Sequence, residues 1–94
     1  MNESKLQSEI VRYLKSKGAI VLKNDANYRT GIPDLSFWHS ELCGMIEVKA
    51  LPSSPYRPLQ QITIHKLQDM GVFCEVIHSE NWGKWKTKFD LWLS

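Results

Sequence analysis

Leu6, Ile10, Tyr13 and Leu14 recur at spacings of three and four, which places them on one face of a helix. Ser4 followed by Gln7 reads as a capping box and Gly18 as a stop, so a first helix is expected from Ser4 to about Lys17. Ala19 to Lys23 is a short apolar strand, and Asn24 to Thr30 a polar loop. Two extended apolar runs follow, Pro33 to Trp38 and Cys43 to Ala50, with His39-Ser40-Glu41-Leu42 as the turn between them. Pro33 drives Ile32 out of the helical region, which supports an extended start. Leu51 to Pro58 holds three prolines and two serines and cannot continue the strand; its length and position suit a flap over a bound substrate. Pro58 suits the first turn of a second helix running to Met70, closed by Gly71. Val72 to Ile77 alternates as a fourth strand, and Ser79 is the expected cap of a last helix with Trp82, Trp85, Phe89 and Trp92 at helical spacing. The order α-β-β-β-α-β-α predicts an α/β fold: a mixed sheet of about four strands, flanked by helices.

The hairpin carries the chemistry. Folding it about its turn sets Asp34 opposite Glu47, with their Cβ atoms roughly 5 Å apart on one face. Lys49, two residues beyond Glu47, shares that face, while Leu35, Phe37, Ile46 and Val48 take the other and can face a core. A slip of one residue would spoil both faces together. Taken singly, an Asp after Pro is often a turn residue and a Glu-x-Lys a solvated face. Two opposed carboxylates, however, repel each other unless a divalent cation sits between them.

Hard cations such as Mg²⁺ or Mn²⁺ take oxygen ligands, keep several waters and are held by one or two carboxylates plus substrate phosphate. Asp34 and Glu47 are the candidate metal ligands, with the Val48 carbonyl as a third. Lys49 suits either of two tasks: orienting or deprotonating an attacking water, or offsetting charge on a phosphate in transfer. This is an arrangement for cutting phosphodiesters. Gln60 shares a helix face with Ile64 and Leu67 and so points toward the sheet, where an amide can hold a water or a phosphate oxygen. An N-terminal capping role is its alternative. Glu9 lies at the edge of the first helix's apolar stripe, one turn from Tyr13, within reach of the sheet.

Ninety-four residues make one domain, 1–94. A hydrophobic share of 43% and a charged share of 23% describe an ordinary globular chain. No apolar run approaches about 18 residues, and the N-terminus is unlike a signal peptide, so a cytoplasmic location without membrane contact is expected. Cys43 and Cys74 fall in strand-like runs, where buried free thiols are common, and a four-ligand zinc site lacks its spacing. The net charge of +2 names no partner by itself. Arg29 and Arg57, in loops at the two ends of the hairpin, are the candidate DNA phosphate contacts, and Tyr28 is a candidate to stack on an unpaired base.

Gly31-Ile32-Pro33-Asp34, then Glu47-x-Lys49, then Leu59-Gln60 opening a helix that ends at Gly71, resembles the VRR-NUC family of the PD-(D/E)xK nuclease superfamily. The likeness extends from Glu9 to the strand after Gly71, and the short length is similar to the stand-alone phage and bacterial members. It implies a restriction-endonuclease-like core and a divalent-metal nuclease acting on structured DNA, including four-way (Holliday) junctions cut by homodimers. By this likeness Glu9, Asp34, Glu47, Lys49 and Gln60 take the catalytic positions, with Glu9 as a third carboxylate or second-metal ligand. Relatives often carry Gly after the lysine where this chain has Ala50. Two other readings stand beside it: a nuclease for flaps, nicks or duplex sites, and a non-cutting DNA-binding or assembly module of the same fold.

Overall fold

Helix α1 (Glu3–Ser16) starts a residue earlier than expected, because Asn2 rather than Ser4 caps it: the Asn2 side chain accepts from the Lys5 N–H at 2.8 Å. Gly18, with φ +90°, turns the chain out of the helix. This computed structural model describes residues 1–25, 27 and 29–94. The strands are β1 (Ile20–Lys23), β2 (Leu35–Trp38), β3 (Cys43–Val48) and β4 (Phe73–Ile77), and the remaining helices are α2 (Pro58–Asp69) and α3 (Trp82–Trp92). Order and type of all seven elements match the expectation. Helix α3 is capped by Asn81 and not by Ser79. The reason is local: the Asn81 side chain accepts from the His78 N–H at 2.8 Å and donates to the Val76 carbonyl at 3.0 Å, which keeps Ser79 and Glu80 in a turn.

The sheet has the order β1-β2-β3-β4. β1, β2 and β3 pair antiparallel in sequence, and the α2 crossover brings β4 parallel to β3. Leu35 pairs with Ile46 and Phe37 with Gly44, the register in which Leu35, Phe37, Ile46 and Val48 share a face. All four are fully buried, with Leu6, Ile10 and Leu14 of α1 and Trp82 and Phe89 of α3 packed on them. Each such side chain stabilises the fold by about 1.5–3 kcal/mol on burial. Phe37, Phe73 and Phe89 meet at centroid distances of 5.8–6.0 Å, so the aromatic stripe of α3 is largely core, although Trp92 stays 43% exposed. Tyr13 donates to the Asp90 carboxylate, which also pairs with Lys17 at 3.0 Å, tying α1 to α3.

The opposite face is covered unevenly. Helix α2 lies along β4, with Ile64 buried and Gln68 donating to the Cys74 carbonyl at 2.7 Å. Beyond its reach Ile20, Leu22 and Trp38 are 66%, 52% and 46% exposed. Cys43, paired with Trp38, is exposed as well, contrary to the buried thiol expected there; Cys74, under α2, is buried, and both are free. No helix among the described residues is long and apolar enough to cross a membrane.

Candidate active site

Gly31 opens the site. It is buried with φ +88°, and a Cβ there would lie 2.8 Å from the Leu59 carbonyl oxygen, so only glycine lets the Gly31–Asp34 loop press on the first turn of α2. Asn24 holds the loop from the other side. Its N–H donates to the Asp34 carbonyl at 2.8 Å and its side-chain amide to the Pro33 carbonyl at 2.9 Å.

The β2–β3 register carries one step past Leu35 and Ile46 to bring Asp34 beside Glu47. The Asp34 N–H donates to Glu47 Oε1 at 3.2 Å, and the Val48 N–H to Asp34 Oδ2 at 2.8 Å. Glu47 is 1% exposed, and its Oε2 accepts from Gln60 Nε2 at 2.9 Å and lies 3.2 Å from Lys49 Nζ. Lys49 also donates to Gln60 Oε1 at 3.2 Å, and that same oxygen accepts from the Arg57 N–H at 3.2 Å. One Gln60 side chain thus both caps α2 and touches Glu47 and Lys49. Tyr56 closes the cluster, with its ring centroid 5.4 Å from Lys49 Nζ.

Burial dominates the electrostatics. It pushes the Glu47 carboxyl up to about 7, with Asp34 raising it further and the Lys49 contacts pulling it back. Asp34 is raised too, mainly by burial, against the lowering effects of the Val48 N–H and Lys49. Two carboxylates share one ammonium here, so the site is short of positive charge.

The donor set suits a hard divalent cation. Continuing the ladder sets Pro33 across from Val48, and proline has no N–H to offer a carbonyl oxygen. Because the Val48 N–H points to Asp34, its carbonyl points to the same side, toward the carboxylates, without a ladder donor. Two carboxylates and a free backbone oxygen are the ligands that Mg²⁺ or Mn²⁺ accepts alongside water. No group of three carboxylate, imidazole or thiol side chains among the described residues could hold one ion. Glu9, half-buried on α1, is thus not grouped with Asp34 and Glu47 in this structure.

Arg57 is exposed at the N-cap of α2, beside Tyr56 and the Lys49 cluster. Arg29 is exposed as well and borders a cleft of about 220 Å³ with Met45, Lys66 and Met70. Tyr28 lies outside the described residues. Asn24 and Tyr56 escaped the sequence reading. Asn24 follows an apolar strand and precedes a turn, which was a usable signal for a loop anchor. Nothing in the sequence pointed to Tyr56.

No curated protein matches the chain. A solved structure described as a VRR_NUC domain superposes with a TM-score of 0.78 at 22% identity, covering 95% of this chain and 94% of that one, which is a likeness of fold. The model of the VRR-NUC domain family matches residues 1–81, the span that contains the glycine-proline loop, the carboxylate pair, the lysine and the crossover helix. The chain belongs to the VRR-NUC domain family, a nuclease family of the PD-(D/E)xK superfamily.

Proposed function

We propose that the protein is a divalent-metal-dependent, structure-specific endonuclease that hydrolyses phosphodiester bonds in branched DNA such as four-way junctions, acting as a homodimer. The observation that carries the reading is the half-buried Asp34 against the buried Glu47, beside Lys49, a pair too negative to be comfortable without a further cation. Asp34, Glu47 and the Val48 carbonyl would hold Mg²⁺ or Mn²⁺. Such an ion supplies Lewis-acid polarisation of a phosphoryl oxygen and a more acidic bound water. Lys49 brings a positive charge to the edge of the site, where it orients a water or offsets charge on the phosphoryl oxygens. Gln60 fixes Lys49 and Glu47 relative to each other through both ends of its amide. Glu9 would act from α1 on a second ion once substrate is bound, and Arg29, Arg57 and Tyr28 would meet the DNA backbone or an unpaired base. A panel of labelled junctions, flaps, nicked and intact duplexes, with Mg²⁺, Mn²⁺ or chelator, tests the proposal. Cleavage of the junction with either metal and none in chelator is expected; binding without cutting under all conditions supports the non-catalytic module.

Glu47 must lose its proton to ligate a metal, and its carboxyl is pushed up to about 7. Below that pH, protons compete. Apparent Mn²⁺ affinity is expected to fall by close to tenfold per pH unit from about 7 downward and to level off above it, measured by calorimetric titration in two buffers. For the metal-free protein the sign runs the other way. A folded pKa above the ordinary carboxylate value means that stability is fully present below about 4.5 and declines as pH rises through about 7.

Cutting two strands of one junction needs two sites, and each chain offers one. The unpaired edge of β1, with Ile20 and Leu22 exposed and Lys23 its one charged residue, is the surface proposed for the second copy. Antiparallel pairing of β1 with its copy, about a two-fold axis normal to the sheet, leaves both sites open to the same side, about 20–25 Å apart. Leu22→Lys is expected to give a monomer on gel filtration, and to turn paired cuts into single nicks. Paired cutting by a strict wild-type monomer would overturn the dimer.

A further inference from the structure

Lys49 is only 12% exposed on its side chain, and its ammonium has three hydrogens to place. Glu47 Oε2 and Gln60 Oε1 take two directions, both at 3.2 Å. On another side lies the ring of Tyr56, with its centroid 5.4 Å from Nζ, inside the roughly 6 Å over which a ring quadrupole attracts a cation. The backbone around this ring is restricted. Pro55 precedes it, and Arg57 is held extended (φ −77°, ψ 141°) before Pro58, so the Tyr56 ring is presented by a short stiff segment anchored on α2. Lysine, by contrast, is a flexible four-carbon stem whose charged end needs external support to stay in one place.

We propose that Tyr56 is a positioning residue of the site: its ring face fixes the Lys49 ammonium where it meets the scissile phosphate. The idea rests on the nuclease reading for its catalytic consequence, though not for the contact itself. Glu47 holds Lys49 by charge, and that hold weakens when the carboxylate is shared with a bound cation. The attraction of the ring does not depend on the Glu47 charge, so it keeps the ammonium in place under those conditions. Gln60 alone would leave the stem free to swing outward.

The test uses the full chain in two arms. In the first, NMR of ¹³C-lysine-labelled protein reads the two Hε protons of Lys49. Wild type and Tyr56→Phe are expected to show them distinct and shifted upfield by the ring, while Tyr56→Leu brings them together at the ordinary position. Equivalent, unshifted Hε protons in the wild type would overturn the proposal even if no DNA is ever cut. In the second arm, position 56 carries phenylalanine with zero to three ring fluorines, which weakens the quadrupole at nearly constant shape. A stepwise fall of kcat, about tenfold across the series at steady KM and melting temperature, is the expected result. A flat kcat would show that the ring only fills space, and a rise confined to KM that it stacks on DNA; either overturns the positioning role. A wild type with a shifted Lys49 that cuts nothing would refute the nuclease reading instead.

Discussion

Asp34→Asn is expected to lower cleavage at least about a thousandfold, equivalent to about 4 kcal/mol in the barrier, while leaving the metal-free fold as stable as wild type or more so. The two effects have one origin. Asparagine keeps an oxygen for the Val48 N–H, now 2.8 Å from Asp34 Oδ2, so the loop end stays paired. It removes the negative charge that helps to raise Glu47 and so relieves the carboxylate pair, a gain felt most above pH 7, where Glu47 is ionised. The same change takes away a ligand oxygen of the cation site. Melting curves at pH 8, with chelator and with Mn²⁺, separate these contributions: the variant should melt at or above wild type in chelator and lose the rise that Mn²⁺ gives wild type. A variant that melts normally and still cuts would show that the carboxylate pair is structural only.

Lys49→Met should cost about a hundredfold or more in kcat, for a different reason. Methionine preserves most of the stem but removes the ammonium that Glu47 Oε2 meets at 3.2 Å. Metal ligands are untouched, so Mn²⁺ should still bind. The buried Glu47 loses its ion-pair partner, which costs about 3 kcal/mol in the metal-free protein at pH 8 and less at pH 5, where the carboxyl takes a proton. Mn²⁺ replaces the missing charge. Its stabilising effect in thermal melts should therefore be larger in this variant than in wild type, while cleavage stays low. Wild-type cleavage by Lys49→Met would remove Lys49 from the chemistry.

How much of this could be read beforehand depends on which interactions are local. Strand alternation and a short turn set the β2–β3 register, so the pairing of Leu35 with Ile46, and with it the nearness of Asp34 to Glu47, was legible. Gln60 was legible for a similar reason, since helical spacing from Ile64 aimed it at the sheet. Helix caps were less so. Asn2 and Ser4 are both good caps, and the choice fell to Asn2, whose side chain reaches the Lys5 N–H; Asn81 takes the cap position of α3 without a side-chain bond to the helix, its amide being engaged by the His78 N–H and the Val76 carbonyl of the preceding turn. Cys43 was misjudged because alternation says which residues share a face and not whether anything covers it: Cys43 starts β3 one residue before its pairing with β4 begins, outside the cover that α2 gives β4. Tyr56 was invisible, as a loop ring meets Lys49 only after α2 has docked.

The proposed chemistry stands on Asp34 and Glu47 jointly binding a divalent cation. A crystal structure of the wild-type protein soaked in Mn²⁺, with anomalous data, tests it most directly. An anomalous peak is expected, bonded to a carboxylate oxygen of Asp34, one of Glu47 and the Val48 carbonyl, at about 2.0–2.3 Å, with waters completing the shell. No peak between these two carboxylates at millimolar Mn²⁺ and pH 8, or a peak held elsewhere, would contradict it.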